Sequence, residues 1–264
     1  VSSLDSASTA LSVNARDKQV PRAFLGLREK ILGIFGKFLP EPERALLKGI
    51  VLGTKSSLDF EFFEALRKTS TLHVVVASGG NIAIFAGGFL NMLSTLIGRR
   101  RAIWPTLVLV WFYVFFVGWQ PAIVRAGIMG SIAFLAQAIG KQFDASRALF
   151  ASAGFMLLWE PQWLFDLGFQ LSFAATAGIL VFTSGISRFL SRVPSMAQVV
   201  VSLLRENLAT TLAAQIAVSP LLFFAFGQIS LIGPLVNVLV LWTVPFIMIG
   251  GIIMGIMGLL WETL

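Results

Sequence analysis

The sequence contains no cysteine and a single histidine. Disulfide bonds and thiolate metal sites are therefore excluded, and so are zinc sites that need paired histidines. The sequence also has no phosphate-binding P-loop and no HExxH motif. We therefore expect no nucleotide-driven motor in this chain, no cofactor and no enzymatic activity.

Charged residues are also scarce. They make up 12% of the 264 residues, whereas 56% are hydrophobic, and a typical soluble domain has about 25% charged residues. Apolar runs of about 20 residues, the length that crosses a bilayer, recur along the chain. The sequence therefore predicts an all-α, polytopic transmembrane helix bundle of about seven spans.

The predicted spans follow the apolar runs. They are His73 to Ile97, Ala102 to Trp119, Ala122 to Ile139, Arg147 to Trp159, Trp163 to Thr183, Asn207 to Phe226, and Ile229 to Trp261. Pro234 and Pro245 interrupt the last run. It is therefore predicted as one kinked span, two spans, or a re-entrant piece followed by a span.

The first 45 residues differ from the rest, and we predict two parts, residues 1–45 and the membrane domain at 46–264. The first part is a polar linker followed by an amphipathic helix from Pro21 to Leu39. Its aromatic face is consistent either with packing against the protein or with a position in the membrane interface. Short helices are predicted from Glu43 to Leu52 and from Ser57 to Lys68. Because Val1 is not a start methionine and no signal peptide follows, we expect a piece of a longer protein.

Basic residues alternate between the loops. Lys and Arg follow the first, third and fifth predicted spans, whereas the turns at 118–121 and 160–162 have none. The net charge is +7 at pH 7. Cytoplasmic loops collect such residues, so we predict that the loop at Arg99, Arg100 and Arg101 is cytoplasmic and that His73 is near the outer face. Attraction of a polyanion would need the same charge, and charge alone does not separate the two explanations.

The stretch HVVVASGGNI, His73 to Ile82, interrupts an apolar run with Ser78, Gly79, Gly80 and Asn81. An opened backbone is tolerated in a bilayer only where protein or a water-filled cavity receives its polar groups. We therefore predict that Ser78 to Asn81 form a helix interruption that lines a polar path. A protease pair of His73 and Ser78 is not favoured, because residues five apart on a helix do not face each other.

Polar residues recur within the other spans. Arg125 and Asp166 are predicted at similar depth, and we expect them to form an ion pair. Gln170 lies four residues after Asp166 and shares its helix face. Gln215 and Asn237 are predicted either to make interhelical hydrogen bonds or, with the others, to line a hydrated interior. Small residues at four-residue spacing, such as Gly251 and Gly255, predict close helix packing.

Three motifs resemble those of the competence domain of the ComEC family. They are LLKGIVLG at 46–53 followed by HVVVASGGNI, VRAGIM at 124–129, and the run from Glu160 to Phe173; the segment 215–220 and Asn237 match later positions more weakly. The chain departs from many relatives in having Gly80 and Asn81 where they have Leu-His, and Glu160 where they have Asp. The metal-binding nuclease-like domain and the N-terminal spans of many relatives are not found in this sequence.

The resemblance implies a channel that moves single-stranded DNA across the bacterial cytoplasmic membrane in natural transformation. It also implies contacts with membrane lipid, a DNA receptor and a cytoplasmic translocation motor. Composition alone leaves open a small-molecule or lipid transporter, or a membrane scaffold of an uptake complex. The functional polar residues expected from motifs and patterns together are His73, Ser78, Gly79, Gly80, Asn81, Arg125, Asp166, Gln170, Gln215 and Asn237.

The predicted topology is directly testable because the chain has no cysteine. Single cysteines at Arg100 and at Gln162 should react with a membrane-impermeant thiol reagent from opposite sides of the membrane, since the basic loop is predicted to be cytoplasmic. In intact cells Gln162→Cys should label and Arg100→Cys should label only after permeabilisation. Labelling of Arg100→Cys in intact cells would show that the orientation is wrong.

Overall fold

A computed structural model of the chain describes residues 22–54, 64, 66, 79–191, 198–226, 233, 236–237, 240 and 242–263. Within these residues the structure is helical and has no strand, which confirms the predicted all-α class. The helices are α1 (Arg22–Phe38), α2 (Glu43–Leu52), α3 (Gly79–Ile97), α4 (Arg99–Val117), α5 (Pro121–Ala138), α6 (Ala145–Trp159), α7 (Leu167–Leu190), α8 (Gln198–Phe226) and α9 (Val244–Thr263), with a 3₁₀ turn at Pro161–Phe165.

Local sequence explains where several helices begin and end. Pro121 occupies the first turn of α5, where its missing N–H costs nothing. The Asp144 carboxylate accepts hydrogen bonds from the amides of Ser146 and Arg147 and so caps α6. Helix α2 ends at Gly53, whose φ of 70° is in the left-handed region that favours glycine.

Six helices are long and apolar enough to cross a membrane. They are Gly79–Ile97, Arg99–Val117, Pro121–Ala138, Leu167–Leu190, Arg205–Ala225 and Val244–Trp261. Helix α6 is also apolar but has 15 residues, a length of about 22 Å against a hydrocarbon core of about 30 Å. The chain is therefore a polytopic membrane protein, with six full-length spans and one shorter apolar helix among the described residues.

The predicted start of the fifth span was wrong in detail. Trp163 belongs to the 3₁₀ turn, and the long helix begins afterwards at Leu167. The reason is the Asp166 carboxylate, which accepts from the Phe169 amide at 2.9 Å and caps a new helix.

The predictions for the other segments have mixed outcomes. Helix α1 and helix α2 confirm the two helices predicted from Pro21 to Leu39 and from Glu43 to Leu52. The helix predicted from Ser57 to Lys68 lies outside the described residues, except for Glu64 and Leu66. Helix α9 is a single span, whereas the stretch before it is described only in part. The division at residue 45 stays a prediction.

The apolar face of α1 packs against the protein. Ile34 and Phe35 are fully buried, and Phe24 meets the rings of Phe112 and Phe116 edge to face. Packing against the protein therefore accounts for Phe24, Ile34 and Phe35, whereas Phe38 is 64% exposed, and a position of the helix in the membrane interface stays a prediction. The main hydrophobic core lies where α1, α2, α3, α4, α5 and α9 meet.

Opposite ends of the bundle differ in chemistry. Trp119, after α4, lies 6.5 Å from Trp159 and 6.4 Å from Trp163, measured between ring centroids. At the other end, Arg99 and Lys141 line a common cleft. Helix α6, which follows that basic end and finishes at Trp159, therefore runs from one end of the bundle to the other. Arg99 and Lys141 thus lie at one end of the bundle and the rings of Trp119, Trp159 and Trp163 at the other, whereas which end faces the cytoplasm stays a prediction.

Helices α7 and α8 form a hairpin with a very close approach at Gly178. A Cβ atom added there would lie 2.7 Å from the Ala213 carbonyl oxygen and would collide with the Ala217 Cβ. Only glycine fits such a helix contact, as in other membrane helix pairs. In α9, Gly251 packs in the same way on Leu47 and Val51 of α2, which confirms close packing at one of the predicted small-residue pairs.

The hairpin contact predicts a position-specific effect. Gly178→Leu should destabilise the purified protein by about 1–3 kcal/mol or more, because the added side chain overpacks the α7–α8 contact. Gly185→Leu on the same helix is the matched control, since nothing lies within 4 Å of a Cβ added there. Detergent-titration unfolding in micelles measures both; equal stability of the two variants would contradict the packing.

Candidate functional site

Arg125 joins α5 to α7 at the tryptophan-rich end of the bundle. Its Nη1 donates to the Ser172 carbonyl oxygen at 2.8 Å, and its Cζ lies 5.9 Å from the centroid of the Phe173 ring. The first residue of α3, Gly79, is also close, because a Cβ added to it would lie 3.1 Å from Arg125 Nη2. Three helices therefore surround one guanidinium group.

Part of the hydrogen-bonding capacity of this cluster is unused. Arg125 Nε and Ser172 Oγ are both buried and have no partner among the described residues. Buried polar atoms in membrane proteins are normally satisfied by protein or water, since each unsatisfied group costs several kcal/mol in hydrocarbon. The Arg125–Ser172 pair thus offers a donor and a hydroxyl for water or a polar ligand.

The predicted ion pair of Arg125 and Asp166 is not formed: among the described residues no contact within 4.0 Å joins the two charges. The Asp166 carboxylate caps α7 instead, and Gln170 donates to the Leu164 carbonyl oxygen at 2.9 Å. Both side chains bind the backbone where the 3₁₀ turn passes into α7. Local capping satisfies the carboxylate without a charged partner.

Asn81 was predicted to line an open polar path, but it is buried between helices. Its side chain is 2% exposed, and its Nδ2 donates to the Ile50 carbonyl oxygen at 3.0 Å. Gly79, Gly80 and Asn81 lie in the first turn of α3, whereas His73 and Ser78 are outside the described residues. A role of these five residues in a path stays a prediction.

Two further residues bind the same end of α2, and the sequence analysis missed them. The Tyr113 hydroxyl donates to the Val51 carbonyl oxygen at 3.3 Å, and Arg28 Nη2 donates to the Leu52 carbonyl oxygen at 3.2 Å. Arg28 is only 6% exposed. The partners are far apart along the chain, so no local spacing signals these contacts.

Gln215 and Asn237, the remaining predicted residues, also carry unsatisfied atoms. Gln215 Nε2 and Asn237 Oδ1 are buried without a partner among the described residues, and Asn237 is 2% exposed. The Gln215 backbone carbonyl accepts from Ser219 Oγ, a bond within α8. No contact among the described residues joins either side chain to Arg125. In the described part of the chain no group of three or more His, Cys, Asp or Glu residues is arranged to hold a metal ion.

Comparison with known proteins identifies similar sequences. The family described as "Competence protein" matches residues 50–264, which confirms the resemblance carried by the motifs. ComE operon protein 3 of Bacillus subtilis (strain 168) is 26% identical over 234 residues, covering 88% of this chain and 29% of that protein. The uncharacterized protein YcaI of Escherichia coli (strain K12) is 24% identical over 216 residues, covering 79% of this chain and 28% of that protein. The chain thus spans less than a third of the length of either relative. No solved structure matches it significantly.

The cap at Asp166 and the expected ion pair make different predictions. Asp166→Asn should leave stability nearly unchanged, because the amide oxygen still caps α7, whereas Asp166→Ala should cost about 1 kcal/mol. Detergent-titration unfolding of the purified protein measures the difference. Asp144 caps α6 through two amides and also pairs with Arg147, so Asp144→Asn and Asp144→Ala provide the comparison in which the charge does have a partner. A loss in Asp166→Asn as large as in Asp166→Ala would show that the negative charge itself is needed.

Proposed function

The chain belongs to the Competence protein family, and from this we propose that residues 46–264 form a membrane channel for single-stranded DNA. In this proposal one strand passes from the outer face of the bacterial cytoplasmic membrane to the cytoplasm during natural transformation. The motif resemblance supports the substrate, and the six helices of membrane-spanning length support the location.

The observation that carries the proposal is the unused polar capacity around Arg125. A guanidinium group with a free Nε suits a phosphate oxygen, because charge-assisted hydrogen bonds to anions are short and strong. Arg125 Nη1 is held by the Ser172 carbonyl oxygen at 2.8 Å, so the group is oriented before any ligand arrives. In this role Arg125 and Ser172 Oγ meet the strand near its entry.

Two aromatic rings of α7 lie close to the Arg125 guanidinium and to Ser172. Phe169 and Phe173 lie 4.3 Å apart between ring centroids, and Phe173 also lies beside the Arg125 guanidinium. Single-stranded nucleic acid is held without sequence preference by cations on its backbone and aromatic faces against its bases. The half-buried Phe173 ring is placed to serve the second purpose.

Other predicted residues take supporting places in this proposal. Gln215 and Asn237 have buried polar atoms that a hydrated path would satisfy. His73, Ser78 and Gly80 belong to the path by motif alone, and Asn81, Asp166 and Gln170 maintain the helix ends around it. The chain has no P-loop, so we propose that a DNA receptor and a cytoplasmic motor supply delivery and driving force.

Uptake of labelled DNA tests the proposal in cells that make the full-length protein. Arg125→Gln should lower DNase-resistant label about tenfold, the cost of roughly one charge-assisted hydrogen bond, while DNA bound at the cell surface stays unchanged. Ser172→Ala should lower it less, because the carbonyl that holds Arg125 remains. The controls are Arg188→Gln and Ser184→Ala, both on exposed positions of α7.

Each rival function has its own outcome in this experiment. Normal uptake in membrane-inserted Arg125→Gln and Ser172→Ala cells would remove this cluster from the DNA path. If deleting the protein leaves DNA uptake intact but abolishes entry of a small solute or lipid, the protein is a transporter of another class. If uptake is lost only when partner proteins fail to assemble, the protein is a scaffold.

A further inference from the structure

A second polar feature lies at the opposite end of the bundle from Arg125. An open cleft of about 600 Å³ is bounded by α3, α4, α5 and the turn after α5. Its mouth, at the helix ends, carries Arg99, Gln137 and Lys141, whereas Asn91, Leu90 and Gly87 lie deeper along α3, with Phe134 of α5 also in the lining. The cleft is therefore cationic at the helix ends and apolar towards the middle of the membrane.

The charges at the mouth are available to an anion. Among the described residues that line the cleft none is acidic. The nearest carboxylate along the chain, Asp144, caps α6 and lies 3.1 Å from Arg147 Nε. With its amide oxygen towards Arg99, Gln137 accepts from Arg99 Nη2 at 3.1 Å and Nε at 3.3 Å, which orients the guanidinium.

The apolar part of the cleft reaches well into the spans. Gly87 lines the cleft ten residues before α3 ends at Ile97, a rise of about 15 Å along the helix. Nothing lies within 4 Å of a Cβ atom added to Gly87, so the space beside it is open. A free phosphate would fill the mouth alone and leave the open apolar space beside Gly87 empty. An amphiphile with an anionic head and acyl chains matches both parts.

We propose that this cleft binds an anionic glycerophospholipid of the cytoplasmic leaflet. Its phosphodiester lies between Arg99 and Lys141, and its acyl chains lie along Gly87 and Phe134. Basic pockets between transmembrane helices on the cytoplasmic side recognise such head groups. The site is independent of the proposed DNA path, which begins at the other end of the bundle.

Native mass spectrometry of the purified full chain in mild detergent tests the site. Phosphatidylglycerol should bind saturably and phosphatidylcholine should bind much more weakly. Arg99→Gln combined with Lys141→Gln should weaken phosphatidylglycerol binding about 25-fold, that is, about fivefold for each of the two charges removed. The matched control is Arg100→Gln combined with Arg101→Gln, which removes the same charge from exposed residues that do not line the cleft.

A second pair of variants tests the slot without changing charge. Gly87→Phe should fill the cleft and abolish saturable binding, whereas Gly88→Phe should not, although both positions have open space for a side chain. Unfolding of each variant without added lipid checks that the fold is intact.

Three outcomes would overturn the proposal. One is that phosphatidylglycerol binds the Arg99→Gln and Lys141→Gln variant as tightly as its Arg100→Gln and Arg101→Gln control, or binds Gly87→Phe as tightly as Gly88→Phe. Another is equal binding of phosphatidylcholine, which would mean that the cleft recognises chains and not the head group. A third is that a single-stranded oligonucleotide, and not phosphatidylglycerol, loses affinity in the Arg99→Gln and Lys141→Gln variant; the cleft would then be a nucleic-acid contact.

Discussion

The buried carboxyl end of α2 is the constraint on which the rest of the bundle depends. A helix leaves its last four carbonyl groups without partners in the helix, and in an apolar interior each must find a donor. Here the amides of Gly53 and Thr54 turn back to Gly49 and Lys48. The next three carbonyls, at Ile50, Val51 and Leu52, accept from Asn81, Tyr113 and Arg28 respectively. One short helix end therefore sets the positions of α1, α3 and α4 together.

Contacts between the helices divide the bundle into a tightly connected part around α2 and the α7–α8 hairpin, which has fewer contacts with the rest. Helix α9 joins the first part because Gly251 allows it to approach Leu47 and Val51 of α2. The α7–α8 hairpin is held together at Gly178 but meets the rest through α7, on α5 and α6. Arg125 lies at that seam, with its donor bond to the Ser172 carbonyl of α7. The group with unused polar capacity thus lies where the α7–α8 hairpin contacts the rest of the bundle.

The sequence predicts the local features of this fold and misses the distant ones. Apolar runs of membrane-spanning length locate the spans, because this signal lies within the span itself. The partner of Arg125 was predicted from depth alone, and depth cannot show that Asp166 is already satisfied by the Phe169 amide. The role of Asn81 could not be predicted either, because its acceptor Ile50 is in a different helix and α2 does not show in advance which end is buried.

The polar residues within the membrane spans fall into two groups, according to whether their side chains have hydrogen-bond partners in the protein. Asn81, Gln170 and Asp166 bind backbone groups at helix ends, so their polarity is explained by the fold. Arg125, Ser172, Gln215 and Asn237 keep buried atoms without a partner in the described chain, as do Thr54, Thr183 and Arg205. An unsatisfied atom in hydrocarbon is costly, and bound water or a polar ligand would lower that cost. Of these residues, Arg125 and Ser172 are joined by a hydrogen bond where α5 meets α7, so two unsatisfied atoms come together there.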